Sequence, residues 1–479
     1  MQHAVRNPRN GLYDYTFDLP TPKDVKKTCK ILRGGQTTWQ RKGIAYRIET
    51  MQAWKANLAY FKDEIIDALT HDTGRRAESI LETNLLFSSI DRWCGIADGF
   101  FKETVKKTSA IPFIDIEQDV VSFSLVGVIS PWNFPLLLSI IDAIPALLAG
   151  SAVIVKPSEV TPRFIEPLMR SIAATPNLAK VFQYIAGAGK TGSDILKNVD
   201  LVCFTGSVAT GKKVYAAAAK QFIPVFLELG GKDAAIVLEG ADLELATSSL
   251  LWGSSVNTGH SCLSIERIYV QESIFDAFVA LLVEKTNKIK FAYPFPKESG
   301  LPSSTVWDGQ IGPVISEKQV LIIDNHLKDA LEKGAILQTG KGFCENIDGG
   351  FWCFPTVLTN VNHKMKVMTE ETFGPIMPIM PFKTEKEGIK LANDSIFGLS
   401  GAVFADTPEH ALAVARQMQA GAISVNDSAL TAIIHEGEKN SFKTSGIGGT
   451  RMGAAAIKRF MRQKAYLIKK QAIPSPWWF

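Results

Sequence analysis

"SAVIVKPSEVTPRFIEPLMRSIAATPNLAKVFQYIAGAGKTGSDILKNVDLVCFTGS", residues 151–207, alternates short β-branched runs with longer amphipathic ones. The runs SAVIVK, VFQYIAG and LVCFTG predict buried strands. Helices are predicted between and after them, over 163–174, near Gly192 and from Val208 to Lys220. A repeated strand–helix order of this kind is typical of a parallel sheet that helices cover on both faces.

The chain on both sides extends this α/β pattern. Residues 21–107 are predicted to be helical, because apolar residues recur three, four or seven positions apart on one face: Ile44, Ile48, Met51 and Leu58. The segment PFIDIEQDVVSFSLVGVIS, residues 112–130, alternates in polarity and predicts a hairpin that leads into a buried strand. After Gly231 a second α/β series continues towards Val425, with helices predicted over 243–255 and from Phe275. We therefore predict a second domain.

Size and charge narrow the class of protein. The 479 residues, 46% of them hydrophobic, exceed the roughly 250 to 300 residues at which a single core stops growing. We therefore expect a multidomain protein. The formal net charge is only +4, and the 52 basic residues are spread over most of the length. Since nucleic-acid-binding proteins concentrate their basic residues on one face, this pattern favours a small-molecule partner.

The compartment is predicted from three features. The amino-terminal residues MQHAVRNPRNGLYDY lack the apolar run of a secretory signal. Residues 135–155, PLLLSIIDAIPALLAGSAVIV, approach the ~20 residues needed to span a bilayer, but they contain Asp142, two prolines and a glycine. We therefore predict a buried helix followed by a buried strand there. The six cysteines show no CxxC pair and no dense even spacing, which favours a reducing cytosol.

Three segments of the first α/β series could hold a nucleotide. FTGS, residues 204–207, follows a strand and opens a helix, where free N–H groups and the helix dipole favour a phosphate. VIVKPSE, residues 153–159, ends a strand in polar side chains that could bind ribose hydroxyls: Lys156, Ser158 and Glu159. GAGKTG, residues 187–192, adds glycines. Each segment alone also fits an ordinary polar loop, and Ser207 also fits a helix N-cap.

Three polar residues could carry the chemistry. Asn133 in SPWNFP offers an uncharged amide to a developing oxyanion. Glu228 in LELGGK stands beside leucines and glycines, where desolvation would raise its pKa and suit it to general-base work. Cys262 in NTGHSC would be the nucleophile, since a nearby positive helix end or donor readily lowers a thiol pKa. A turn-forming asparagine, a surface glutamate and a buried structural cysteine are the alternatives, and their joint occurrence with the nucleotide segments favours catalysis.

Seven segments resemble, in order, the signature segments of the NAD(P)-dependent aldehyde dehydrogenase superfamily. The similarity runs from about Phe123 to Met452, and the helical amino-terminal region is compatible with it. The segments are GVISPWNFPLLL, AVIVKPSEVTP, FTGSVATG, LELGGKDAAIVL, NTGHSCLSIER, EETFGPIMPI and ANDSIFGLSGAVF.

The resemblance implies roles for individual residues. Cys262 would attack the aldehyde carbon, the Asn133 amide and the Cys262 N–H would hold the oxyanion, and Glu228 would activate the water that hydrolyses the thioester. NAD is the implied cofactor; NADP stays open, because Glu159 would repel a 2′-phosphate whereas Lys156 could tolerate one. No metal is implied. The residues implied to contact the cofactor are Ile129, Ser130, Pro131, Trp132, Lys156, Ser158, Glu159, Gly189, Gly192, Phe204, Thr205, Gly206, Ser207, Leu229, Glu371 and Phe373.

An aldehyde dehydrogenase-like α/β fold is also implied. Residues 1–103 and 123–230 would form a Rossmann-like, parallel-sheet cofactor domain, and residues 231–445 a second α/β catalytic domain. Residues 104–122 and 463–479 would form a small β oligomerisation element, consistent with a cytoplasmic homodimer or homotetramer. The aromatic tail SPWWF after a basic run has two interpretations: packing on a neighbouring subunit, or a weak contact with a membrane surface.

Two further departures from the family pattern occur near the site. His260 stands where glutamine is usual; it is either a spacer or a group whose titration modulates the thiol. SFKTSGIGG, residues 441–449, lacks the usual Pro-Phe-Gly-Gly lead, which predicts a reshaped loop at the substrate mouth.

The substrate is predicted to be hydrophobic: a long aliphatic, aromatic or terpenoid-like aldehyde. The residues predicted at the tunnel and its mouth are apolar: Leu138, Ile141, Leu263, Leu430, Ile433 and Ile434. Two alternatives to a hydrolytic NAD(P)-dependent dehydrogenase stay open. A coenzyme-A-acylating relative would need no water-activating base, so Glu228 argues against it. A non-catalytic structural or ligand-storage protein would not need Cys262, Asn133 and Glu228 together.

Overall fold

The computed structural model describes residues 1–100, 106–292, 309–340 and 342–471. Its first part is a hairpin followed by helices, listed in chain order: β1 (Gln2–Arg6), β2 (Tyr13–Asp18), α1 (Pro22–Arg41), α2 (Gly43–Ala59), α3 (Lys62–Thr73) and α4 (Arg76–Phe100). Thr21 and Asp24 form a capping box that starts α1. The helical prediction for 21–107 is confirmed up to Phe100, with Met51 and Leu58 fully buried and Ile44 and Ile48 packed against the same core. Residues 101–105 lie outside the described residues, and Lys106 and Lys107 belong to a strand instead. The hairpin was not predicted.

The middle of the chain forms the cofactor sheet, whose parallel strands lie in the order β9-β8-β5-β6-β7, with β21 antiparallel at the β9 edge. The elements are β3 (Lys106–Thr108), β4 (Ile114–Ser122), β5 (Leu125–Ile129), α5 (Leu137–Ile140), α6 (Ala143–Ala149), β6 (Ala152–Lys156), α7 (Ile165–Ala173), α8 (Pro176–Ala179), β7 (Phe182–Tyr184), α9 (Gly189–Leu196), β8 (Leu201–Thr205), α10 (Val208–Gln221) and β9 (Val225–Glu228). The predicted parallel sheet is confirmed. Residues 112–130 differ from the prediction, since β4 is one long strand whose hairpin partner is the upstream β3.

The second sheet has the order β12-β15-β16-β11-β10-β18-β19 and is parallel except for β12. Its part of the chain contains β10 (Asp233–Val237), α11 (Leu243–Ser255), β11 (Ile265–Gln271), α12 (Phe275–Thr286), α13 (Glu317–Glu332), β12 (Ile336–Leu337), β13 (Glu345–Ile347), β14 (Gly350–Trp352), β15 (Thr356–Thr359), α14 (Lys366–Thr369), β16 (Ile376–Phe382), α15 (Glu385–Asn393), β17 (Phe397–Gly398), β18 (Ser400–Phe404), α16 (Pro408–Ala415), β19 (Ala422–Val425) and α17 (Leu430–Ile433).

The carboxy-terminal part returns to the first half of the molecule. Its strands are β20 (Phe442–Lys443), β21 (Gly446–Ile447) and β22 (Met461–Lys469). β22 pairs with β4, which gives a three-stranded antiparallel sheet in the order β22-β4-β3. β22 therefore lies at the edge of this small β sheet. Residues 104 and 105 of the predicted oligomerisation element, and the tail at 472–479, lie outside the described residues.

Separate apolar cores support the two sheets. One cluster of buried side chains joins the cofactor sheet to α1, α2, α4, α6 and α7, and it also takes in Ile457 and Phe460. Two further clusters cover the faces of the second sheet. The strands β9 and β10 lie on either side of the predicted boundary at residue 231, while β21 joins the first sheet although it follows residue 445.

Two predictions about the chain as a whole can be compared with the structure. Residues 135–155 form the two short buried helices α5 and α6 and the buried strand β6. Among all described residues, no helix is both long and apolar enough for a membrane span.

The structure pairs Cys344 with Cys353 in a disulfide, which the cysteine spacing did not predict. The β13–β14 hairpin brings these two residues opposite each other.

Candidate active site

A cleft lies where the edges of the two large sheets meet. In the cofactor sheet the chain runs from β5 to β6 and β7 on one side and then crosses back to β8 on the other side of β5. The topological switch point therefore lies between β5 and β8. The amino ends of β11 and β16, adjacent parallel strands of the second sheet, face the same cavity. The cavity, of about 190 Å³, is lined by Pro131, Trp132, Asn133, Leu138, Thr205, Gly206, Ser207, Leu229, Gly230, Cys262, Gln319, Ile322, Glu371 and Phe373.

An unusual turn at residues 257–259 places Cys262 at this cavity. Asn257, Thr258 and Gly259, three to five residues before it, all have positive φ, between 56° and 69°. A Cβ at Gly259 would lie 2.3 Å from the carbonyl carbon of Gly374, so only glycine fits there. Thr258 is β-branched and strained in this conformation, and its hydroxyl donates to the Gly312 carbonyl over 3.0 Å.

The Cys262 thiol is partly exposed to the cavity, yet its electrostatic surroundings differ from the expectation. Burial, followed by the carboxylates of Glu371 and Asp233, raises the pKa of the thiol to about 12, against a smaller opposing effect of Arg451. The protein in this state holds the sulfur as a neutral thiol at pH 7. A base or an additional positive charge must therefore assist when the thiolate forms.

Asn133 lines the same cavity as Cys262, and a hydrogen bond orients its amide. Its side chain is buried, and Nδ2 donates to the His260 carbonyl over 3.0 Å. An amide nitrogen carries two hydrogens, so one fixes the orientation and the second can face the cavity, which Asn133 lines. The Asn257 side chain ties the two segments together, because its Nδ2 donates to the carbonyls of Asn133 and His260, each over 3.0 Å.

Glu228 ends β9 and is half-buried. Its carboxylate accepts a hydrogen bond from Ser441 Oγ over 2.7 Å, so its surroundings are less apolar than the sequence suggested. Glu228 is not among the residues that line the cavity. Ser441 belongs to the 441–449 segment that departs from the family pattern, which therefore reaches the predicted base.

A buried charge cluster lies next to Glu228. Asp142 contacts Arg451 over 2.7 Å and Arg459 over 3.2 Å, and the Arg451 guanidinium also donates to Thr205 Oγ1 over 2.8 Å. Although burial acts to raise the pKa of Asp142, the two guanidinium groups hold it below its ordinary value. Arg451 also interacts electrostatically with Glu228 and Cys262.

Glu371 and Phe373 reach the cavity from the loop before β16. Glu371 Oε1 accepts from Gly231 N over 3.1 Å, and burial, followed by Glu266, raises the pKa of Glu371 to about 8. The backbone N–H of Phe373 donates to Glu266 over 2.7 Å. Glu266 in turn forms a fully buried ion pair with Lys232 over 2.6 Å. This ion pair fixes the loop that carries both predicted cofactor contacts.

The polar residues after β6 form a local network. Lys156 Nζ donates to Glu159 over 2.8 Å, and although burial acts to raise it, the pKa of Glu159 lies below its ordinary value because of this ammonium group. Ser158 Oγ accepts from Val160 N over 3.2 Å. Of the three glycines predicted to contact the cofactor, Gly192 lies against Ile129 and Lys156, Gly189 faces open space, and Gly206 follows β8.

The residues after β5 and β8 complete this side of the cleft. The buried Ser130 hydroxyl has no hydrogen-bond partner among the described residues, as expected of a group that a ligand would satisfy. Ser207 caps α10, with Oγ accepting from Thr210 N over 3.4 Å, and Gly206 N donates to the Glu228 carbonyl over 3.1 Å. Phe204 is buried behind Gly206, and Leu229 packs on Gly211 in α10.

The predicted tunnel residues are distributed between the cavity and the surface. Leu138 lines the cavity, whereas Ile141 is buried and Leu263 half-buried outside its lining. Leu430, Ile433 and Ile434 are exposed on or next to α17. Ser428, just before α17, hydrogen-bonds to Ser249 of α11, the helix that also carries the exposed Trp252.

Several residues of the site were missed. Gln319 and Ile322 line the cavity from α13, where the helical pattern gave no signal for them. Arg75, Glu266 and Lys232 were also missed, because buried charges are recognisable only once their partners are known. Trp132, His260 and Phe373 form an aromatic cluster, with the His260 ring centroid 5.0 Å from Trp132 and 5.8 Å from Phe373.

Comparisons with known proteins agree with this geometry. The sequence model of the Aldehyde dehydrogenase family matches residues 1–466. The chain is 33% identical to 4,4'-diapolycopene aldehyde oxidase of Methylomonas sp, over 99% of this chain and 88% of that protein. Among solved structures, PutA of Anabaena variabilis, described as a candidate aldehyde dehydrogenase, is 54% identical with a TM-score of 0.96 and full coverage of both chains. Betaine aldehyde dehydrogenase of Staphylococcus aureus in complex with NAD+ is 30% identical with a TM-score of 0.90, over 100% of this chain and 93% of that one.

Proposed function

The chain belongs to the aldehyde dehydrogenase family, and from that premise we propose that it oxidises a hydrophobic aldehyde to the carboxylic acid through a thioester on Cys262. The observation that carries the proposal is the shared cavity of Cys262, Asn133, Glu371 and the loops after β5 and β8. A nucleophile, an oriented amide donor and a dinucleotide-binding sheet edge meet there. The family and the fold make the chain a dehydrogenase.

The cofactor is NAD, as in the related complexes, and relatives named as NADP(+) enzymes also occur. The residues of this chain fit a dinucleotide: the first turn of α10 offers free N–H groups, and the Ser130 hydroxyl lacks a partner among the described residues. We propose that Lys156 and Glu159 bind the adenosine ribose and that Glu371 and Phe373 position the nicotinamide end. When bound, NAD(P)+ supplies the hydride acceptor.

Cys262 and Asn133 would form the first intermediate. The Cys262 thiol gives its proton to a water molecule in the cavity, the thiolate attacks the aldehyde carbon, and the carbonyl electron pair moves onto oxygen to give a thiohemiacetal oxyanion. The second hydrogen of Asn133 Nδ2 and the backbone N–H of Cys262 would stabilise that charge. The oxyanion then returns its electron pair as the hydride leaves the same carbon, and Cys262 is left as a thioester.

Glu228 would complete the turnover. Its carboxylate takes a proton from a water molecule, the resulting hydroxide adds to the thioester carbon, and the acid leaves with release of the Cys262 sulfur. The Ser441 hydrogen bond holds the carboxylate, and a swing away from Ser441 would bring it to the water. Thiol resolution by coenzyme A would not need this base.

Apolar residues around the cavity support a hydrophobic substrate. Leu138 and Ile322 line it, and Ile433 is 58% exposed on α17 where we place the mouth. The relative named for 4,4'-diapolycopene aldehyde acts on a terpenoid by its name, whereas others are named for betaine aldehyde and succinate semialdehyde. A cation that could serve a charged substrate is Lys439, which interacts electrostatically with Cys262, but its ammonium donates to the Thr431 carbonyl.

The activity is tested by absorbance at 340 nm with decanal, benzaldehyde, betaine aldehyde and succinic semialdehyde, each with NAD+ and with NADP+. We expect the highest kcat/KM with a hydrophobic aldehyde. A higher value with succinic semialdehyde would contradict the substrate class, and no reduction with any aldehyde would contradict the activity.

The resolving step is tested with Glu228→Gln. We expect one equivalent of reduced cofactor per site in a burst, followed by slow turnover, because the thioester forms and persists. Addition of coenzyme A should not raise the wild-type rate. An unimpaired steady state in this variant, or a rate that depends on coenzyme A, would remove Glu228 from its proposed role.

We also propose that the protein is a homodimer or homotetramer that assembles through the β22-β4-β3 sheet. Leu467 on the edge strand β22 is 73% exposed, and an exposed apolar edge strand is available to pair with another chain. Light scattering of Leu467→Glu against the wild type tests this assignment, and an unchanged mass would contradict it.

A further inference from the structure

We propose that Arg75 is a positioning residue for the oxyanion site. Arg75 lies in the turn between α3 and α4 and holds residues 257–260, whose last carbonyl orients the Asn133 amide. This inference rests on the proposed function, since it assigns Asn133 to the developing oxyanion. It adds a residue that contacts neither the nucleophile nor the predicted cofactor contacts.

The Arg75 guanidinium is buried and directed at the turn before Cys262. Its Nη1 donates to Asn257 Oδ1, its Nη2 donates to His260 Nδ1, and Nη2 also donates to the Pro313 carbonyl over 3.0 Å. Only 2% of the side chain is exposed. The guanidinium nitrogens Nη1 and Nη2 thus donate to fixed acceptors. Two of these acceptors, on Asn257 and His260, belong to one four-residue turn.

That turn needs an external support. Residues 257–259 are three consecutive residues with positive φ, and two of them are not glycine, so the backbone is strained there. Such a conformation persists only where surrounding contacts fix it. Arg75 binds Asn257 and His260 at its two ends, and the Gly312 carbonyl accepts from Thr258 in its middle.

The contact with Arg75 also fixes the state of His260. Because arginine has only donors, His260 Nδ1 must accept, so the ring is neutral and carries its hydrogen on Nε2. Burial, followed by the charge of Arg75, places the pKa of His260 well below its ordinary value. The ring also packs against Trp132 and Phe373. These contacts favour the interpretation of His260 as a fixed spacer over that of a group that titrates near neutral pH.

His260 in turn contacts Asn133, the proposed oxyanion donor. The His260 carbonyl accepts from both Asn133 Nδ2 and Asn257 Nδ2, each over 3.0 Å. If the turn relaxes, this carbonyl moves, and the Asn133 amide loses the acceptor that sets the direction of its second hydrogen. Displacements of about 1 Å at such a donor are enough to lower rates by about a hundredfold.

The experiment compares Arg75→Gln with Arg76→Gln, each in the wild-type and the Asn133→Ala background. Arg76 is the next residue, is also buried and pairs with Asp67 over 3.1 Å, so it controls for the loss of a buried guanidinium. The readouts are kcat/KM for the best aldehyde of the panel, NAD+ affinity from tryptophan fluorescence, and the rate of Cys262 alkylation at a fixed pH.

We expect Arg75→Gln to lower kcat/KM by about 10- to 100-fold while NAD+ affinity and alkylation change by less than about threefold. Arg76→Gln should leave kcat/KM within about threefold. In the Asn133→Ala background, Arg75→Gln should cost less than about threefold more, because residues that act through one another are not additive.

Two results would overturn the proposal: equal kcat/KM values in Arg75→Gln and Arg76→Gln, or the same fold-loss from Arg75→Gln with and without Asn133. If Arg75→Gln does not fold, Arg75→Lys, which retains the charge and at most part of the fork, gives the same cycle with an expected loss of about 3- to 10-fold. An inactive wild type would contradict the proposed function rather than the role of Arg75.

Discussion

The two sheet edges that face each other across the cleft differ in how far apart in the sequence their hydrogen-bonded residues lie. At the cofactor edge, after β6 and β8, three polar side chains bind their near neighbours: Lys156 binds Glu159, Ser158 binds Val160 and Ser207 binds Thr210. Thr205, which accepts from Arg451 246 positions away, is the exception. At the catalytic edge, before β11 and β16, Glu266 binds residues 106 and 107 positions away, and Arg75 binds His260 185 positions away.

The difference follows from burial. At the cofactor edge Glu159 is half-buried and Ser207 is exposed, so polar groups there can complete their hydrogen bonds with water and with nearby side chains. The segments before β11 and β16 are buried and partly left-handed, with positive φ at Asn257, Thr258 and Phe373, so their polar groups need partners from other elements. We therefore expect substitutions at the cofactor edge to change affinity gradually, and those at the catalytic edge to change chemistry or stability abruptly.

The largest effect is expected for Cys262→Ala at the catalytic edge. Removal of the nucleophile eliminates both covalent intermediates, and we expect kcat to fall by about 10⁴-fold or more, measured by cofactor reduction at 340 nm. NAD+ affinity should change by less than about threefold, because the cofactor edge is intact. Retention of more than a hundredth of the wild-type rate would contradict the distinction between the edges.

The next effect concerns stability. Glu266→Gln leaves the buried Lys232 ammonium without its counter-charge, and breaking a buried pair in this way costs about 3 to 5 kcal/mol. The measurement is the urea midpoint of the fluorescence transition. The double variant Lys232→Met/Glu266→Gln should recover part of the loss, because it removes the unpaired charge. A midpoint of the single variant equal to that of the wild type would show that the pair does not hold the loop.

The third prediction concerns the oxyanion donor. Asn133→Ala should lower kcat by about 10²- to 10³-fold, or about 2.7 to 4 kcal/mol, because one donor to the transition state is lost. The KM for the aldehyde should change much less, since the ground-state carbonyl carries little charge. A rise in KM with kcat unchanged would instead assign Asn133 to substrate binding.

The two edges also differ in how much the sequence could predict. Strand-end residues of the cofactor edge, such as Thr205, Gly206 and Ser207, were found because strand periodicity and the start of α10 locate them without tertiary information. Cys262 was proposed as a nucleophile from its sequence neighbours, but with a buried structural cysteine as an open alternative, and Glu371 and Phe373 were assigned only through the resemblance to a family. Periodicity alone places them in ordinary loops, since the turn at 257–259 depends on Arg75 and on residues 312 and 313.

The surroundings of the site could not be predicted for the same reason. The partner of Glu228 is Ser441, 213 positions away, and the thiol pKa depends on Glu371 and Asp233, which other strands bring close. The disulfide between Cys344 and Cys353 likewise requires knowledge of the β13–β14 hairpin.

The fourth prediction concerns the pH dependence of NAD+ binding, which we attribute to Glu371 on the loop before β16. Burial raises the pKa of Glu371 to about 8, so its carboxyl is largely protonated at pH 7 and ionised above pH 9. An ionised carboxylate accepts ribose hydroxyl hydrogens and attracts the cationic nicotinamide ring. The Kd for NAD+, measured by fluorescence quenching, should therefore fall by about tenfold between pH 7 and pH 9.5. Glu371→Gln should lose this dependence, and an equal slope in that variant would assign it to another group.

The smallest effect is expected at the cofactor edge. Glu159 is paired with Lys156 and partly exposed, so Glu159→Gln removes one carboxylate that would repel a 2′-phosphate and frees the lysine to bind it. We expect the ratio of kcat/KM for NADP+ to that for NAD+ to rise by about fivefold to tenfold, near 1 kcal/mol, which is the scale of a single screened charge at a protein surface. Glu166→Gln, on the exposed side of α7, removes the same charge nearby and should leave the ratio unchanged. If both variants raise the ratio equally, the preference reflects the overall field of the domain, and Glu159 has no specific contact with the ribose. A rise confined to Glu159→Gln, with kcat unaltered, would show that a residue of the cofactor edge can change affinity without disturbing the catalytic edge across the cleft.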